Sequence, residues 1–180
     1  MASQMLRFRR SRDRLAQDAT FTVSPRFGVA GTEVSVRITN LPAQTAVLLG
    51  FGGVGSPHEI LDDAVADAEG VATWTATVPD WVERDRTYLF YLAFGDQRPV
   101  DFSDPFLVTG PDGTVRLEGT ITDEGVSCPA MRGPNDELYT LAVPTPAPQP
   151  GDQVVIEGTI AEMSTCMQGI TLDVREITAR

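Results

Sequence analysis

The segment Gly50-Phe51-Gly52-Gly53-Val54-Gly55 has the G-x-G-x-x-G spacing with which some chains cradle a pyrophosphate. In that chemistry the glycines let backbone approach the phosphates, and the next helix aims its first amides at them. Ser56-Pro57-His58-Glu59 reads as a capping box with proline at the first helical position, and Asp80 falls near where a ribose-binding acid would sit. A dinucleotide site, however, needs strand, turn and helix at the start of a doubly wound sheet. Here the flanking segments read as strands and no βα units follow. The expectation is a glycine-rich loop joining two strands.

The carboxylates Asp62, Asp67 and Glu69, with Asp63 among them, are the oxygen donors that calcium prefers. Their spacing matches no EF-hand. On a strand, Asp62 and Asp63 would point to opposite faces. A solvated hairpin is expected there, with no metal. His58 is the single histidine and reads as a surface residue. Asp123-Glu124 offers an acid–base pair on paper, but adjacent turn residues are the simpler reading. No catalytic set and no cofactor are expected. Cys128 and Cys166 have no further cysteine and no nearby histidine with which to complete a zinc site.

Composition narrows the classes further. The 180 residues suit one or two small domains, and an apolar fraction of 42% suffices for cores. The net charge of −11 is uneven: residues 1–17 carry five arginines and one aspartate, the remainder nine arginines and 24 carboxylates. An acidic body repels phosphate backbones, so nucleic acid is not expected as a partner. No stretch reaches the roughly 18–20 apolar residues of a membrane span. Met1–Arg14 is basic like the start of a signal peptide, and Leu15-Ala16-Gln17 before Asp18 reads like a cleavage site. Arg12-Asp13-Arg14 stands where the apolar region should be. Residues 1–17 are therefore either an altered or mis-assigned leader or a basic arm; as written they are not a working secretion signal.

From Phe21 onward the pattern is strand and turn. Glu33–Ile38 alternates polar and apolar residues, Ala46–Leu49 is a short apolar run, and Val71–Val78, Thr87–Phe94 and Phe102–Val108 read as further strands. Trp74 and Tyr88 are expected in the core; Trp81, at a strand end, is a candidate for exposure. Gly110-Pro111-Asp112-Gly113 is a turn-rich join, short enough to restrict the angle between the domains it connects. Strands then resume over 114–121, 126–131, 137–141, 153–160 and 170–177, and Leu117-Glu118-Gly119-Thr120-Ile121 recurs as Ile156-Glu157-Gly158-Thr159-Ile160. A glycine inside each suits a sharply bent barrel strand. Pro144–Pro150, with four prolines, admits neither helix nor interior strand. The fold class is thus all-β: an antiparallel sandwich over 18–109, Ig-like by the resemblance given next, and a small five-stranded OB-like barrel over 113–180.

Residues 20–109 resemble bacterial Ig-like domains of the IPT/TIG kind through Ser24-Pro25, Gly28, Gly31-Thr32-Glu33-Val34, Leu41-Pro42 and the hairpin Ala66-Asp67-Ala68-Glu69-Gly70. Residues 113–178 resemble a small OB-like domain of unknown function from secreted bacterial proteins, through Cys128-Pro129, Tyr139-Thr140-Leu141, Pro150-Gly151-Asp152 and Cys166-x-Gln168-Gly169. Neither resemblance brings a catalytic set. The secreted kinship implies a Cys128–Cys166 disulfide, the alternative being two buried thiols in a cytosolic protein. It also implies a non-enzymatic, extracytoplasmic binding or structural module of a cell surface or envelope assembly, with a protein partner or self-association. The alternative is an oligosaccharide-binding protein using the OB-like face, where Arg132, Tyr139 and Gln168 are the candidate contacts, with Trp81 as a further one.

Overall fold

A computed structural model describes residues 19–53, 58–134, 136–143, 147–161, 163–166 and 168–180. The arm of residues 1–17, the second half of the glycine-rich loop and the prolines at 144 and 146 lie outside that set. Fourteen strands and no helix occur among the described residues. They are β1 (Thr20–Ser24), β2 (Phe27–Gly28), β3 (Glu33–Thr39), β4 (Ala46–Gly52), β5 (His58–Val65), β6 (Ala72–Thr77), β7 (Thr87–Ala93), β8 (Pro99–Phe102), β9 (Phe106–Val108), β10 (Thr114–Thr122), β11 (Ala130–Arg132), β12 (Leu138–Ala142), β13 (Gln153–Ile160) and β14 (Ile170–Ala179). No described helix is long and apolar enough to cross a membrane. The chain forms two compact units: one comprises the segment ending at Arg26, Ala30–Val82 and Thr87–Leu107; the other comprises Phe27–Val29, Glu83–Arg86 and Val108–Arg180.

The sandwich has a three-stranded sheet, β1-β3-β6, and a larger one of order β2-β9-β7-β4-β5 in which β8 also pairs with β7. β3 and β6 alternate buried and exposed positions without a break, so Val34, Val36, Ile38, Ala72, Trp74 and Ala76 face inward. Across from them Val47, Leu49 and Phe51 of β4 and Tyr88, Phe90 and Leu92 of β7 complete the core. Phe51 is its hub: its ring stacks on Tyr88 at 5.4 Å and meets Phe90 edge-on at 4.8 Å.

Phe102–Val108, expected as one strand, is two. β8 ends at Phe102, and Ser103-Asp104-Pro105 turns the chain before β9. Ser103 Oγ accepts from the Phe90 amide and donates to the Asp104 carbonyl, while Pro105 has no amide with which to continue a ladder. β7 consequently pairs with β9 at Thr87 and Tyr88 and with β8 at Tyr91–Ala93.

The second unit is a closed barrel of order β10-β11-β12-β14-β13, with β12 and β14 parallel and every other pair antiparallel. Val115, Leu117, Ile121, Met131, Tyr139, Leu141, Ile156 and Leu172 fill it. The repeated glycines work as their pattern suggests. A Cβ at Gly119 would strike Arg132 O and the Met131 side chain; one at Gly158 would strike Asp173 O, beside the register shift at Glu157/Gly158. The strand expected from Val126 starts only at Ala130, because Cys128 is drawn into a disulfide and Pro129 cannot donate.

Candidate functional site

Register decides what the larger sheet shows to each side. Val47, Leu49 and Phe51 point inward, so Leu48, Gly50 and Gly52 of β4 point outward. The pairings Gly52↔His58 and Gly50↔Ile60 set His58 and Ile60 of β5 on that outer face. Gly50↔Tyr91 and Gly52↔Leu89 add Tyr91 and Leu89 of β7, and Tyr91↔Phe102 and Ala93↔Pro99 add Phe102 and Pro99 of β8. A solvated antiparallel sheet normally alternates apolar-in with polar-out. Around Gly50 and Gly52 this outer face is apolar instead, with Asp63 beside Leu48 further along it, and it holds a shallow recess of about 240 Å³ walled by Gly52, His58, Leu89, Tyr91, Pro99 and Phe102.

Gly50 shapes this recess. A Cβ there would overlap the end of the Tyr91 ring, so the phenol lies over bare backbone. Its hydroxyl donates to the Glu59 carbonyl at 3.3 Å, and burial raises its pKa above the ordinary 10.0, keeping it neutral. The Tyr91 ring meets the His58 ring at 6.3 Å and the Phe102 ring at 6.4 Å. Phe102 is 52% exposed. The arrangement suits desolvating contact with an apolar or aromatic group.

The barrel offers a second concavity, about 440 Å³, between the loop before Ala130 and the loop before Ile170. The Cys128–Cys166 disulfide ties these loops together with a Cα–Cα distance of 5.5 Å. Ser127, Ser164, Thr165 and Asp173 supply polar groups and Met163, 93% exposed, an apolar one.

None of the three barrel residues singled out for a ligand lines that concavity. Arg132 is held by Glu124 in a two-pronged pair, Nε to Oε2 at 2.9 Å and Nη2 to Oε1 at 2.6 Å, and Nη1 donates to Asp136 O. This pairing lowers the Glu124 pKa. Tyr139 is corrected outright as an outward contact: it is 1% exposed in the barrel core, where burial drives its phenol pKa well above the ordinary range. Gln168 is half-buried and its backbone carbonyl accepts from Thr140 Oγ1 at 2.9 Å.

Trp81 is half-buried too. Its ring packs on Phe51 and Tyr88, and Nε1 donates to Glu59 Oε1 at 3.1 Å. Among the calcium candidates, Asp67 Oδ1 accepts from the Glu69 and Val71 amides, which makes it the organiser of the hairpin turn. Asp62 lies on β5, with Oδ1 on the Asp63 amide. The described residues contain no group of three or more His, Cys, Asp or Glu placed to share a metal ion. Gly50–Gly52 belong to β4 and β5 starts at His58, so strand follows strand where a phosphate loop would need a helix; Val54–Pro57 lie outside the described residues.

Leu89, Pro99 and Phe102 were missed by sequence reasoning. One signal was present: Tyr88–Phe94 is apolar on both parities, as when both faces of a strand are covered.

Residues 118–180 match a family model described as "Protein of unknown function (DUF5818)", over most of the closed barrel. No curated protein matches the chain. Among solved structures it is similar to "MACROMOMYCIN", at 20% identity and a TM-score of 0.41, over 51% of this chain and 99% of that one.

Proposed function

We propose that this protein is a non-enzymatic, extracytoplasmic binding module whose recognition surface is the outer face of the sandwich's larger sheet, and that its partner is a protein of a cell-surface or envelope assembly. One observation carries the reading: Leu89, Tyr91, Pro99 and Phe102 stand together on a sheet face that solvent alone would make polar. Contiguous apolar surface of that kind marks a place where another molecule displaces water. The disulfide supports the compartment, since such bonds persist in oxidising surroundings.

The test compares the native chain with Phe102→Asp and Leu89→Asp, using Thr73→Asp on the solvent side of β6 as control. Envelope proteins captured by the native chain should be lost with the two face variants and kept with the control. An unchanged capture pattern across all three would end the reading. Free thiols at Cys128 and Cys166 in protein from its natural source would remove the extracytoplasmic part.

A second reading, an oligosaccharide ligand on the barrel, is favoured by the hydroxyl-lined concavity beside Asp173. Glycan-array binding that Asp173→Ala abolishes would support it.

A further inference from the structure

β14 carries Asp173 between two neighbours, Ala142 of β12 on one side and Thr159 of β13 on the other. Both ladders fix its backbone. Its side chain stands outward, since Leu172 before it is wholly buried and Asp173 is exposed. The carboxylate therefore reaches the barrel's concavity from a rigid strand rather than from a loop. Among the described lining residues it alone is charged. None of the described ion pairs includes it, and no other described residue bonds to it. A cation is the ligand group that would complete this wall.

The rest of the lining suits a sugar ring. Ser164 Oγ accepts from the Cys166 amide at 2.8 Å, which leaves its own proton to donate. Ser127 Oγ donates to Thr165 O at 3.4 Å, which leaves its lone pairs to accept. One wall thus donates and the other accepts, as ring hydroxyls need. The disulfide holds the two walls in place. The volume of about 440 Å³ falls within the roughly 300–1,000 Å³ of ligand sites. We propose that this concavity takes a sugar bearing a free amine, with the ammonium against Asp173 and ring hydroxyls on Ser127 and Ser164. The inference rests on the sugar reading of the barrel and adds to it the charge of the ligand. A neutral sugar would strip water from Asp173 without replacing it, whereas an ammonium replaces that water with a charge-assisted hydrogen bond. A carboxylate-bearing sugar would be repelled by Asp173 and by a chain that sets 24 carboxylates against nine arginines beyond residue 17.

Titrations of the full chain with the trimer of glucosamine and with its N-acetylated form test it, at about pH 6, where free carboxylates are ionised and free amines protonated. Amide NMR shifts locate the binding. The free-amine trimer should shift the amides of Ser164, Cys166 and Asp173. It should bind at least about fivefold more tightly than the acetylated trimer, and less so as salt rises. Asp173→Asn should abolish that preference and Asp173→Glu should keep it. Glu176→Gln, which removes the same charge further along β14, should leave it unchanged. An acetylated trimer that binds as tightly at the same amides keeps the sugar reading and overturns the amine. If neither trimer moves these amides, both fall. Equal losses with Asp173→Asn and Glu176→Gln would reduce the binding to a general attraction between cation and acidic chain, and would overturn the proposal. So would N-acetyl-lysine amide binding there as tightly as the free-amine trimer, which would assign the site to a protein side chain.

Discussion

The Tyr91 ring occupies the space that a side chain at Gly50 would need. The two residues are register partners on adjacent strands, so the glycine is what lets an aromatic side chain lie across the outer face of β4. Gly50→Ala should expel the ring, break its hydrogen bond to Glu59 O and deform the recess, at a cost of about 1–3 kcal/mol. Urea denaturation measures the loss. Tyr91→Ala in the same background should recover part of it by removing the clash, and a fully additive double mutant would disprove the coupling.

The disulfide closes a loop of 38 residues in sequence and ties together two loops of the barrel. Replacing Cys166 by Ser should cost about 2–4 kcal/mol in the unfolding free energy of the barrel. Reductant should lower the native chain to the same level and leave the variant where it is. A variant as stable as the native chain would mean that the barrel needs no such constraint.

Tyr139 bears on how the glycan reading is tested. Its side chain fills the barrel, so Tyr139→Ala should destabilise by about 3–5 kcal/mol through the cavity it leaves. Loss of binding in that variant would report unfolding. Asp173→Ala, on the rim of the concavity, should leave the melting temperature nearly unchanged, and calorimetry on both variants separates the two cases.

Tyr139 also shows what was legible in the sequence and what was not. The strands over Glu33–Ile38, Val71–Val78 and Thr87–Phe94, the alternation of β3 and the bent glycine strands follow from local pattern, because each depends on neighbours within one element, whereas β5 and the split of Phe102–Val108 do not. Parity alone puts Tyr139 on the same side as Leu141 and therefore inside; the outward assignment came from analogy with ligand-binding barrels. Arg132 looked available because its partner Glu124 lies eight residues back, across a loop, where no periodicity reports it. The outer face needs Phe102 and Pro99 beside Tyr91 and Ala93, a pairing that exists because Pro105 splits one expected strand into two. Long-range pairing of that sort leaves no mark on either segment.

The Arg132–Glu124 pair gives the last prediction. Arg132 holds the Glu124 carboxyl below its ordinary 4.5 in the folded chain, so the unfolded chain binds more protons as pH falls. Its contribution is complete above the ordinary carboxylate pKa and disappears as pH drops through the depressed folded value. Glu124→Gln should therefore lower the urea midpoint near neutral pH and converge with the native chain in acid. Both groups are solvent-accessible, so the difference should also shrink in concentrated salt. A gap between the two proteins that stays constant from acid to neutral pH would show that Glu124 acts through shape alone and that its charge contributes nothing.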